Sequence, residues 1–176
     1  MAPLIVVALD IASVTGVAVG SPGRSPKAWS VELGKVRGSE DARFSKALVL
    51  THELIERHRP DLIAVEAAIG GKFASAFLIG VVACVRGVAA NRGVPVRSYT
   101  SGSVRKHFLG RALAKRDFPS LKPAAATKAI KGEVIARCRL LGWEVADDNA
   151  ADACALWDFA CATAGFQTAP SGGLFA

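Results

Sequence analysis

Acidic residues stand in three places where a carboxylate is hard to explain as solvated surface charge. Asp10 ends the apolar run Leu4–Leu9, Glu66 ends the run Leu62–Val65, and Asp147-Asp148-Asn149-Ala150-Ala151-Asp152 opens an alanine-rich segment. A half-buried carboxylate costs free energy unless a partner compensates it, and a metal ion is the simplest partner for several acids at once. Asp148 and Asp152 are one helical turn apart and share a face. Asp148 also reads as an N-cap. Asp152 falls inside the helix beside small apolar residues, where no local role accounts for it. Oxygen donors of this kind suit Mg²⁺ or Mn²⁺ and not Zn²⁺. A pair of such ions roughly 4 Å apart activates a water and stabilises the leaving oxygen of a phosphodiester. Because the acids are far apart in the chain, this chemistry requires a fold that brings two strand ends and a helix start together.

The elements that must do so follow from local pattern. Leu4–Leu9 is short and β-branched, as expected of a strand buried on both faces. Val17–Val19 and Ala28–Leu33 follow at close spacing around the Gly- and Pro-containing break Gly20–Pro26, which predicts antiparallel pairing of the first three strands. A helix is expected from its N-cap Ser39 to Pro60, with Glu40 and Asp41 at the positive end of its dipole and Phe44, Leu48, Thr51 and Ile55 on one face. The strand Leu62–Val65, a long helix Phe73–Asn91 and a short strand Val94–Arg97 come next. Further helices are expected over Ser101–Leu109, over Thr127–Leu141 with Gly142 as its C-terminal stop, and from Asp148 or Asn149 onward. The fold class is therefore α/β, a five-stranded mixed sheet flanked by helices. Within Phe73–Asn91 the small residues Ala76, Gly80, Ala83 or Cys84, Gly87 and Ala90 recur at helical spacing. Such a stripe lets another backbone approach, either the protein's own sheet or the same helix of a second subunit, and a self-dimer is the favoured reading. His52 and Glu56 share a face but read as solvated helix surface.

The 176 residues, 51% of them hydrophobic, suffice for one domain, assigned to 1–166, with 167–176 as a flexible tail. Cys84, Cys138, Cys154 and Cys161 have no metal-ligand spacing and no signal peptide is present, which points to buried, reduced thiols in a cytoplasmic protein. Phe73–Val85 is too short before Arg86 to cross a membrane. The net charge of +7 is concentrated: Arg97 to Glu144 holds eleven Lys or Arg against three acids, and the rest of the chain sums to −1. A basic segment adjoining an acidic site implies a nucleic-acid backbone led to metal-binding carboxylates. The candidate contacts are Lys72, Arg105, Lys106, Arg111, Lys115, Arg116, Lys122, Lys128 and Lys131.

From Leu4 to about Ala164 the chain resembles the RuvC-like Holliday-junction resolvases of the RNase H superfold, particularly the compact forms of phages and mobile elements. The resemblance rests on ALDIASVTGVAV, IAVEAAIGG, CVRGVAANRGVPV, SVRKHFLG and ADDNAADACALW. It implies an RNase H-like fold with Asp10, Glu66 and Asp152 as catalytic acids. The family's fourth metal-site acid or histidine lies three residues before the last aspartate, where Asn149 stands with Asp148 directly before it, so either could complete the site. Its two basic catalytic positions match Arg105 and Lys131, the first with arginine for lysine. Its junction-wedging aromatic falls at Ile69, with Phe73 nearby. The resemblance further implies two Mg²⁺ or Mn²⁺ ions per site and a homodimer that makes paired symmetric nicks in branched DNA. Competing readings are an RNase H-like nuclease of structured RNA using the same acids, and a phosphotransferase of the actin and sugar-kinase type. The latter usually needs two such domains and a Gly-rich phosphate loop. A non-catalytic DNA-binding module would not need three converging acids.

Overall fold

Two apolar runs, each closed by an acid, lie side by side at the centre of one sheet. A computed structural model of the chain describes residues 4–34, 38–67 and 75–165. Strand β1 (Val6–Asp10) pairs antiparallel with β2 (Val14–Gly20), which pairs antiparallel with β3 (Lys27–Glu32). On its other side β1 runs parallel to β4 (Leu62–Glu66), and β4 parallel to β5 (Val96–Tyr99). The order is β3-β2-β1-β4-β5, the expected five-stranded mixed sheet with its first three strands antiparallel. β1 and β4 are apolar along their length because both of their faces are covered. β2 starts at Val14, ahead of the expected Val17, and β5 extends to Tyr99, beyond the expected Arg97.

Helices α1 (Glu40–His58) and α2 (Ala76–Asn91) cover one face; α3 (Ser101–Leu109), α4 (Pro123–Leu140) and α5 (Asp148–Thr163) cover the other. Side chains alternate across a strand. Val6, Ala8, Leu62 and Ala64 therefore join the core under α3, α4 and α5, while Val7, Leu9, Ile63 and Val65 join the core under α1 and α2. Asp10 and Glu66 continue the first series and point to the α5 side.

Several local expectations are corrected. In α1 the buried face is Arg43, Ala47, Thr51, Leu54 and Ile55, whereas Leu48 is 42% exposed, because the helix leans on the sheet one residue around from the expected stripe. Helix α4 begins at Pro123, ahead of the expected Thr127, since proline suits the first helical position. Gly142 follows α4 with φ +72°, the left-handed stop expected of it. Cys138, Cys154 and Cys161 are buried, but Cys84 only partly, at the edge of the small cluster of Leu33, Ala47 and Val81. His52 and Glu56 share Arg92 as a partner, which fits their reading as surface residues. Ile69, Lys72, Phe73 and the 167–176 segment lie outside the described residues. Among the described residues no helix is long and apolar enough to cross a membrane.

Candidate active site

Each acid is placed by a different element. Asp10 is the last residue of β1 and stands opposite Gly16 of β2. Glu66 ends the neighbouring parallel strand, one step beyond the last β1–β4 pair, Leu9 and Val65. Asp152 lies one turn into α5. What fixes the start of α5 is Asp147, not Asp148: the Asp147 carboxylate accepts from the Ala150 amide at 2.8 Å and from Ser30 Oγ on β3 at 2.7 Å. With the cap supplied by Asp147, Asp148 is free to face the site.

Gly16 sets how closely α5 can lie. A Cβ there would sit 2.0 Å from the Asn149 carbonyl oxygen and 3.1 Å from Ala153 Cβ, so only glycine lets the first turn of α5 rest on β2 beside Asp10. Further along, Trp157 Nε1 donates to the Gly20 carbonyl at 3.3 Å, and Ala150, Ala151, Ala153 and Cys154 are fully buried. The alanine-rich composition of α5 is thus the means by which a helix-borne carboxylate reaches a strand-borne one.

The electrostatics record this convergence. Burial pushes the Asp10 carboxyl up to about 8, reinforced by the charges of Glu66 and Asp152 and by a hydrogen bond with Glu66. Burial likewise raises Asp152 to about 6; Arg105 and Lys131 pull it down, while Glu66 and Asp148 add to the rise. The Lys131 ammonium lies 2.5 Å from Asp148 and 3.9 Å from Asp152. Its hydrogen bond holds the Asp148 carboxyl below the usual range. Desolvation works against the charge on Lys131, but Asp148, Asp152 and Asp10 outweigh it and raise its pKa. Arg105 projects from α3, which packs against α5 partly through His107 Nε2, 3.0 Å from Asp158 Oδ2.

Asp10, Glu66, Asp152, Asp148, Lys131 and Arg105 are therefore brought into one electrostatic cluster. Asn149 contributes its backbone carbonyl against Gly16. Among the described residues no three His, Cys, Asp or Glu side chains already stand as a metal cage; Lys131 bridges Asp148 and Asp152 instead. The donors still fit a hard dication, because they are carboxylate oxygens too crowded to ionise together without added positive charge. Of the other cations, Arg111 pairs with Glu133 at 3.5 Å, while Lys106, Lys115, Arg116, Lys122 and Lys128 are exposed. A cavity of about 730 Å³ between β3 and α1, lined by Trp29, Val31 and Leu50, lies on the opposite face from these acids and holds none of them. Sequence reading missed Gly16, Asp147 and Ser30. The first Asp of an Asp-Asp-Asn run was available as a cap signal; nothing local marked the other two.

No protein-family model matches the chain. It is 29% identical over 110 residues to the crossover junction endodeoxyribonuclease RuvC of Corynebacterium glutamicum, a match covering 57% of this chain and 48% of the relative. The RuvC of Corynebacterium efficiens matches to the same extent. The chain spans about half the length of the curated relatives it matches. Among solved structures, Thermus thermophilus RuvC superposes with a TM-score of 0.66 at 20% identity over 94% of this chain and 99% of that one. T. thermophilus RuvC in complex with a Holliday junction substrate gives a TM-score of 0.66 at 19% identity, covering 92% of this chain and 96% of that one. The chain thus shares the fold of T. thermophilus RuvC, a five-stranded mixed sheet with flanking helices, and is similar in sequence to the corynebacterial RuvC proteins over 110 residues.

Proposed function

We propose that this chain is a divalent-metal-dependent endodeoxyribonuclease that resolves four-way DNA junctions by paired nicks. One observation carries the reading: Asp10, Glu66 and Asp152 converge from two strand ends and a helix start on one sheet face, with Lys131 and Arg105 beside them. The names of the matched relatives and the junction complex of T. thermophilus RuvC support the substrate class.

Asp10, Glu66, Asp152 and Asp148 would hold Mg²⁺ or Mn²⁺, which supplies an activated water and stabilisation of the leaving oxygen. The chain's own contribution is electrostatic and positional. Sheet and helix hold the carboxylates together before any substrate arrives, so their repulsion favours cation uptake. Lys131 and Arg105 present positive charge where the scissile phosphate gains negative charge. Lys106, Lys115, Arg116, Lys122 and Lys128 give the adjoining strand an exposed cationic track. A homodimer through α2 would set two such sites on opposing strands of a near two-fold substrate. It is supported by the exposed small residues Ala76, Ala83, Gly87 and Ala90 around Ile79, which is 48% exposed.

The test is cleavage of a synthetic four-way junction, a linear duplex and an RNA hairpin, with Mg²⁺ or Mn²⁺ and with chelator. Wild type is expected to nick the junction in a metal-dependent way, and Asp152→Asn to lose that activity. Equal cutting by Asp152→Asn would overturn the site; cutting of the hairpin alone would move the substrate to RNA.

A further inference from the structure

A groove of about 530 Å³ adjoins the acid cluster, between α4 and the start of α5. Lys131 and Asp148 are among its lining residues, so it adjoins the candidate active site; Thr127, Gly132, Ile135, Asp147 and the exposed Lys128 line it as well. Its volume falls within the roughly 300–1,000 Å³ of small-ligand sites, and its walls are mostly apolar.

Gly132 is the informative residue. It sits in the interior of the 18-residue helix α4, where glycine is the least favourable choice apart from proline. Close packing does not explain it: a Cβ at Gly132 would meet nothing within 4 Å. Gly16 is glycine because the Asn149 carbonyl lies against it, whereas Gly132 is glycine beside open space. A side chain at Gly132 would project into the groove. The helix thus gives up local stability at the position where a side chain would narrow the space next to the acids.

We propose that this groove receives one nucleoside unit flanking the scissile phosphate, with Gly132 as its floor. The inference rests on the nuclease reading and deepens it. Lys131 and Lys128, both lining the groove, suit the phosphates on either side of such a unit, and its mostly apolar lining suits the faces of a base and sugar. A nucleotide held there is drawn out of its stack, so the site would favour the strained, unpaired positions of a junction over continuous duplex.

The experiment places 2-aminopurine, fluorescent when unstacked, at successive positions around the centre of a four-way junction and measures binding by wild type and Gly132→Leu, with Ca²⁺ in place of Mg²⁺. One position is expected to brighten with wild type and to stay dark with Gly132→Leu, whose affinity falls roughly 5- to 100-fold. Gly132→Leu should keep or raise the melting temperature, because leucine is the better helix former and nothing opposes it. If it misfolds, Thr127→Phe fills the groove from the preceding turn and is read in the same way. Brightening that survives both variants, or no brightening at any position, overturns the groove assignment. A groove-dependent signal from a protein that nicks no junction would leave the groove standing and sink the nuclease reading. Failure to bind the junction would sink both.

Discussion

Helices α2 and α5 are both built of small residues at helical spacing, yet they sit in opposite surroundings. In α5, Ala150, Ala151, Ala153, Cys154, Ala155, Ala160 and Cys161 are no more than 1% exposed, and the helix lies flat across β1 and β2. In α2 the protein's own core takes Val81, Val85 and Ala89, and leaves Ala76, Ala83, Gly87 and Ala90 facing out. Gly80 is the exception, since a Cβ there would meet the Phe44 ring of α1 at 2.8 Å. A stripe of small residues therefore announces that something can come close, but larger neighbours decide which side meets the core. In α5 the close partner is the sheet, and the gain is a carboxylate delivered to two others. In α2 the close partner is proposed to be a second copy of the chain.

The comparison can be broken most severely at the acids that α5 brings in. Asp152→Asn and Asp10→Asn should each lower metal-dependent junction nicking on the order of 10³-fold or more with little change in fold, as read by single-turnover cleavage and circular dichroism. Gly16→Ala is next. The added methyl must displace the Asn149 carbonyl, a backbone atom, so stability should fall by about 1–3 kcal/mol. The shift of the first turn of α5 should lower the nicking rate on the order of 10²-fold while junction binding persists. A normal rate in Gly16→Ala would mean that α5 has slack to spare.

A third effect is pH-dependent. Asp10 and Asp152 are raised to about 8 and about 6 in the folded chain, so between about pH 4 and pH 8 the native state holds protons that the unfolded state has released. Metal-free stability should accordingly fall as pH rises through that window. Added Mg²⁺ should restore the melting temperature most strongly near pH 8, and Asp10→Asn should flatten the metal-free profile. A metal-free melting temperature that climbs from pH 5 to pH 8 in wild type would contradict the crowding of the acids.

The smallest effect separates the two glycines of α2. Gly80→Ala meets Phe44 and should destabilise the protomer, whereas Gly87→Ala meets nothing within 4 Å and should stabilise it by about 1 kcal/mol. At concentrations where the chain self-associates, Gly87→Ala should weaken the dimer in sedimentation if α2 is the contact. Unchanged association would move the interface elsewhere.

Much of this was legible in the residues. The runs closed by Asp10 and Glu66 are strands because β-branched residues favour extended backbone and alternate across it, a property of near neighbours. Ser39 and Gly142 marked helix ends for equally local reasons: a hydroxyl beside free amides and a residue tolerant of positive φ. Asp152 stood out because an acid among alanines has no local explanation. Other features depended on residues more than a hundred positions apart. That Asp147 caps α5 while Asp148 turns to Lys131 follows from Ser30 lying against that cap. That Gly16 must lack a side chain follows from where the Asn149 carbonyl comes to rest. Local sterics and hydrogen bonding choose the elements and the kinds of side chain they carry. Which carboxylates share one field, and which small-residue face is left to solvent, depends on how the finished elements fill space against one another, and no short stretch of chain holds that information.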